Sequence, residues 1–143
     1  GGTPVGVPLP AQTVHCKRAF ASYSSLDRDE VTGRIQGMQK VLPGLDVFLD
    51  VAAMRSGEDW KLGLRHEINS RDVFYLFWSA NAQRSKEVEN EWRLALELRG
   101  LDYIDPVPLA PPDIIAPPPE LKSKHFNDWV LAYRRNQAVK VDQ

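Results

Sequence analysis

Two glutamates on one amphipathic segment are the residues of this 143-residue chain whose types and spacing best suit chemistry. Over Ser85–Arg99 (SKEVENEWRLALELR) the apolar residues recur at helical intervals. At about 100° per residue, with Val88 at 0°, Trp92 falls near 40°, Leu96 near 80°, Ala95 near 340°, Leu98 near 280° and Leu94 near 240°. Glu89, Asn90, Arg93 and Glu97 fill the opposite side, as a solvated face does. Glu91, at about 300°, and Glu87, at about 260°, stand inside the apolar arc instead. A carboxylate turned toward a core is costly unless it is paired, protonated or lining a cleft. In a cleft it can stabilise a developing cation. On spacing alone Glu91 has two open readings, a cleft carboxylate or a group at a wet arc edge reaching solvent. For Glu87 the solvated reading is favoured, because a negative charge in the first turn complements the helix dipole.

Other chemistries find no support. There is no GxGxxG after the first strand, no GxxxxGK[ST] and no GxSxG, so phosphate-cradling folds and the common serine hydrolase are set aside. A phosphoacceptor site would need an acid where the third strand ends, and Trp78-Ser79 stands there. His15, His66 and His125 lack metal-ligand spacing, and the single Cys16 leaves no internal disulfide or zinc cluster. Nothing near Cys16 in the sequence guarantees a lowered pKa, and it reads as structural or incidental. Eighteen Lys+Arg against nineteen Asp+Glu give a net charge of −1, which argues against direct nucleic-acid binding. The longest apolar run, Val73–Trp78, is far short of the roughly 20 residues of a membrane helix. With 43% hydrophobic and 26% charged residues, the composition is that of one ordinary globular domain.

The elements that must position the glutamates follow from periodicity. Residues 1–15, Gly- and Pro-rich, read as a flexible leader or linker rather than a signal peptide. Strands are expected at Lys17–Tyr23, Leu45–Leu49, Asp72–Trp78 and Tyr103–Leu109. The third reads as buried on both faces; the fourth, with Pro106 and Pro108, as short or at an edge. Helices are expected over Asp27–Leu42, with Ser24, Ser25 and Asp27 offering cap oxygens, and over Trp60–Asn69, Ser85–Arg99 and Asp128–Asn136. Gly100 closes the third. Asp50–Asp59 reads as a loop, and a short fifth strand is expected near Lys124–Phe126. The alternation predicts an α/β, flavodoxin-like, doubly wound and mostly parallel sheet of four to five strands, spanning residues 16–136 with a tail at 137–143. Its site should lie beyond the strands' carboxyl ends. Seven of the eleven prolines fall between Ile104 and Pro119. That tract is read as restraining the last crossover in preference to walling the cleft. Trp60 and Trp78 read as core aromatics, and Arg55 as a solvated charge or a partner contact on an exposed loop.

Three segments together resemble a Toll/interleukin-1 receptor (TIR) domain of the bacterial type. AFASYSSLDRDEV (Ala19–Val31) is similar to the family's opening box. GLDVFLD…MRSGEDW (Gly44–Trp60) resembles its second strand and BB loop. VFYLFWSANAQRSKEVENEW (Val73–Trp92) matches an apolar strand followed by Ser79, Ser85 and Glu91 at the family's intervals. The resemblance implies either a scaffold that binds other TIR domains or an NAD+ nucleosidase acting in bacterial immune-type signalling. In the enzymatic case it places Glu91 as the catalytic acid, with Phe20, Ala21, Ser22, Ser79, Ser85 and Glu87 shaping the substrate cleft. It assigns Asp50, Met54, Arg55, Ser56, Gly57 and Trp60 to the BB loop and to assembly. NAD+ enters as substrate; no cofactor and no metal are expected. The implied setting is cytoplasmic, off the membrane, with further domains fused to this one. Enzymatic relatives commonly carry Trp where Glu87 stands, a departure that bears on turnover. A third reading makes Glu91 a covalent nucleophile on another N-glycoside.

Overall fold

The computed structural model describes residues 17–57, 59–124 and 126–142. Four strands form one parallel sheet: β1 (Arg18–Ser22), β2 (Asp46–Phe48), β3 (Val73–Trp78) and β4 (Ile104–Pro108), in the order β2-β1-β3-β4. Helices α1 (Arg28–Val41), α2 (Val51–Arg55), α3 (Trp60–Ser70), α4 (Ala80–Gln83), α5 (Lys86–Arg99) and α6 (Phe126–Asp142) complete the regular structure, with short 3-10 turns between them. The architecture is the α/β, flavodoxin-like one that the periodicity predicts.

Every residue of β3 is buried, which is why its sequence is uninterruptedly apolar. β4 lies at an edge, pairing Phe74 with Ile104 through Trp78 with Pro108. An edge strand needs hydrogen bonds on one side only, so it accommodates Pro106 and Pro108. Alternation then sorts the strand residues between two layers. Phe20 stacks on Phe74 with ring centroids 5.1 Å apart, and Ser22, of the same parity, reaches α5. Tyr75 and Asp105, partners across β3 and β4, face the side of α1 and α6.

Three features differ from the sequence reading. The Asp50–Asp59 segment contains α2, seated by the buried Val51, and the turn after β3 contains α4, capped by Ser79. No fifth strand forms among the described residues. Lys124 instead closes a turn through its N–H to Leu121 O at 3.0 Å, and Phe126 opens α6. That last helix continues through Asp142, since no Gly or Pro follows Asn136 to stop it. The expected leader, Cys16 and His125 lie outside the described residues.

Candidate active site

Glu91 sits on the core-facing side of α5 with 2% of its surface exposed. Its helix starts where the pattern places it, because Ser85 Oγ accepts the Val88 N–H at 3.2 Å as N-cap. Three bonds hold the carboxylate. Ser22 Oγ, at the carboxyl end of β1, donates to Oε1 at 2.8 Å. Arg55, the last residue of α2, donates through Nε to Oε2 at 2.7 Å and through Nη2 to Oε1 at 2.9 Å. This is the bidentate fork that guanidinium and carboxylate planes favour. Arg55 Nη2 also donates to Tyr23 O at 3.0 Å, so the loop residue is fixed to the end of β1. Tyr23 braces the same corner, donating its hydroxyl to Leu49 O at 2.8 Å and accepting from Arg28 Nη1 at 2.6 Å.

Burial pushes the Glu91 carboxyl above the ordinary glutamate range, Arg55 and Ser22 pull it back, and the charge of Glu87 raises it again. Burial would lower the Arg55 pKa, but its bonds to Glu91 outweigh that and hold the guanidinium protonated. The Tyr23 hydroxyl is pushed up by burial, with Arg28 and Arg55 opposing.

A second knot closes the cleft's floor. The Asp27 carboxylate accepts from Ser79 Oγ at 2.5 Å and from Asn81 Nδ2 at 2.7 Å, tying the exit of β1 to the exit of β3. Asp27 makes no side-chain cap to α1; Ser24 Oγ instead caps the preceding 3-10 turn. Above the knot opens a cavity of about 650 Å³ rimmed by Ser24, Ser25, Arg55, Arg84, Lys86 and Glu87, a size suited to a nucleotide-sized ligand. It lies beyond the strands' carboxyl ends, as open α/β sheets dictate.

The structure brings Ser22, Arg55 and Glu91 into contact and sets Ser85 and Glu87 at the mouth. Glu87 is exposed and accepts from Ser85 Oγ at 3.3 Å, as the solvated reading expects. Phe20 and Ala21 do not line the cleft with their side chains, since both are fully buried within the sheet. Ser79 meets Asp27, not Glu91. Asp50 precedes α2. Met54 turns away to pack beside Gly63, Ser56 Oγ donates to Ala53 O, and Gly57 N–H closes onto Met54 O. Trp60 opens α3 and lines a separate groove with Leu64 and Asn90. The proline tract keeps clear of the cleft: Ala116 O accepts the Trp78 indole N–H at 2.8 Å, and Glu120 pairs with Arg93, which restrains the crossover. Sequence reasoning missed Arg84 and Lys86, whose signal was their place on either side of Ser85. No group of three His, Cys, Asp or Glu able to hold a metal ion occurs among the described residues, and no helix there is long and apolar enough to cross a membrane.

A doubly wound parallel sheet, with a buried carboxylate bonded to the end of its first strand, defines the class: a flavodoxin-like α/β domain. The particular family follows from comparison. The chain belongs to the TIR domain family, whose model matches residues 20–140. It is similar in structure to the TIR domain of the Toll-related receptor TRR-2 from Hydra magnipapillata, at 14% identity and TM-score 0.61 over 87% of this chain and 98% of that one. It is also similar to a prokaryotic SEFIR domain, at 17% identity and TM-score 0.54 over 86% and 97% of the two chains. At these identities the likeness is one of fold. No curated protein matches the sequence.

Proposed function

We propose that this domain cleaves NAD+ to nicotinamide and ADP-ribose, or its cyclic form, when copies of it assemble in bacterial immune-type signalling in the cytoplasm. The observation that carries the reading is the Glu91 carboxylate, 2% exposed, held directly behind Arg55, which lines the strand-end cleft. In the reaction the ribose C1′–N bond breaks and its electron pair leaves with nicotinamide, whose ring nitrogen becomes neutral. The ribose carbon left behind is cationic, and Glu91 stabilises it. Water then adds to that carbon and loses a proton, or an adenine nitrogen of the same molecule closes the ring. Arg84 and Lys86, at the cavity rim, face the diphosphate, leaving the ribose nearest Glu91. In the resting domain Arg55 occupies both carboxylate oxygens. Turnover therefore requires α2 to release Glu91, and assembly through the BB loop supplies that release.

The test follows nicotinamide release from NAD+ by concentrated protein under induced assembly, beside Glu91→Ala. Release by the parent and its loss in the variant support the reading; no release at any concentration overturns it. One observation favours a second reading, a scaffold binding other TIR domains without turnover: the same bidentate pair leaves Glu91 no unoccupied oxygen plane. Intact assembly of a Glu91→Ala variant, together with an inactive parent, selects the scaffold.

A further inference from the structure

A second site lies on the opposite layer, away from the Glu91 cleft. β4 reads Ile-Asp-Pro-Val-Pro, and Asp105 is a carboxylate set mid-strand on a sheet face that helices cover. Among the described residues no donor reaches its side chain within hydrogen-bond distance. Burial pushes its carboxyl upward, while Arg135, Lys124 and Lys17 draw it back and Asp128 opposes them. Those cations act across a gap, since none forms an ion pair with it among the described residues. The gap is a cavity of about 250 Å³ whose lining includes Tyr75, Asp105, Lys17, Arg135, Met38 and Leu42. Burial, with the Asp105 charge beside it, pushes the Tyr75 hydroxyl up to about 12, so it remains a neutral donor and acceptor.

The arrangement is polarised. One partly buried anion stands beside the buried Tyr75, an exposed Arg135 stands at the margin, and Met38 of α1 with Leu42 just after it supply an apolar wall. A half-buried carboxylate with no protein donor leans on water, and a ligand ammonium can take that place with a charge-assisted bond. The volume falls below the roughly 300–1,000 Å³ of drug-sized pockets, so the ligand is small. We propose that this cavity binds a small zwitterion of the aliphatic α-amino acid class, its ammonium on Asp105, its carboxylate toward Arg135 and Lys17, and its side chain against Met38 and Leu42. The site is independent of the Glu91 reading.

The probe is L-leucine, titrated into the domain and followed by amide chemical shifts. Two one-charge analogues, isoamylamine and 4-methylpentanoate, are run beside it. Saturable shifts at Tyr75, Asp105 and Val107 are expected, at least tenfold weaker for either analogue and for Asp105→Asn, and unchanged in Glu91→Ala. Arg135→Ala, at an exposed position, is the second variant: it should weaken leucine at least tenfold and leave the amine unaffected. No saturable shift at these amides, an amine that binds as well as leucine, or undiminished binding by a folded Asp105→Asn would overturn the proposal.

Discussion

Arg55→Ala isolates the contact on which the resting site depends. The substitution deletes two bonds to Glu91 and one to Tyr23 O, leaving a carboxylate with Ser22 as its remaining donor among the described residues. Removing one partner of a buried pair costs about 3–5 kcal/mol. The Arg55 side chain keeps 16% exposure, so water can enter behind it and the lower end, about 3 kcal/mol, is expected. For a domain of this length that corresponds to about 10 °C in Tm. The loss should depend on pH. Without Arg55 the Glu91 carboxyl rises further above its unfolded value. A carboxyl raised in the folded state favours folding below its unfolded pKa and loses that contribution as pH climbs through the folded one. The variant should therefore recover stability relative to the parent as pH falls from about 7.5 to about 5. Urea unfolding followed by circular dichroism, repeated in a Glu91→Gln background, gives the coupling directly. In that background the same substitution should cost under about 1 kcal/mol, the worth of an ordinary hydrogen bond. Equal costs in the two backgrounds would refute the pairing and the release step built on it.

The other expectations concern the cleft's walls. Asp27→Ala removes both bonds between the β1 and β3 exits and should cost about 1–3 kcal/mol, read by urea unfolding; a change within error would show the knot to be ornamental to stability. Glu87→Trp places an aromatic wall at the cleft mouth and removes the charge that raises Glu91, so nicotinamide release should increase severalfold in the release assay, with KM falling. Reversing the rim charges in Arg84→Glu with Lys86→Glu should raise KM for NAD+ about tenfold, roughly the 1.4 kcal/mol of a lost charge-assisted contact, while kcat changes little. An unchanged KM would remove the diphosphate from that rim.

The sheet was legible because β3 is an uninterrupted apolar run and β1 a short one ending in turn residues, and β4's edge position because its prolines fit few other places. Helices α2 and α4, with five and four residues, are too short to show a period of 3.6, and only burial of Val51 and the Ser79 cap reveal them. The fifth strand failed because the three residues of Lys124–Phe126 are too few to show an alternation, and they carry no mark of a turn closing on Leu121. Glu91 could be read from the wheel, since a misplaced carboxylate is visible wherever a helix is amphipathic. Its partner could not. Arg55 is 36 residues away, on a segment whose direction depends on Tyr23 and Leu49. Asp105 escaped notice for the opposite reason: one acid beside Pro106, on a strand read as short or at an edge, looks like a solvent-facing group until the ladder with β3 is drawn.

The two margins of the sheet carry a consequence for how copies of this domain can join. One margin is β2, three residues long; the other is β4, where every second amide from Pro106 onward is a proline nitrogen with no hydrogen to offer. Neither can template an added strand, so growth by sheet extension, the route to amyloid-like fibres, is closed at both ends. Copies that do join must instead meet side chain to side chain, through helices and loops, where single surface substitutions can edit the contact.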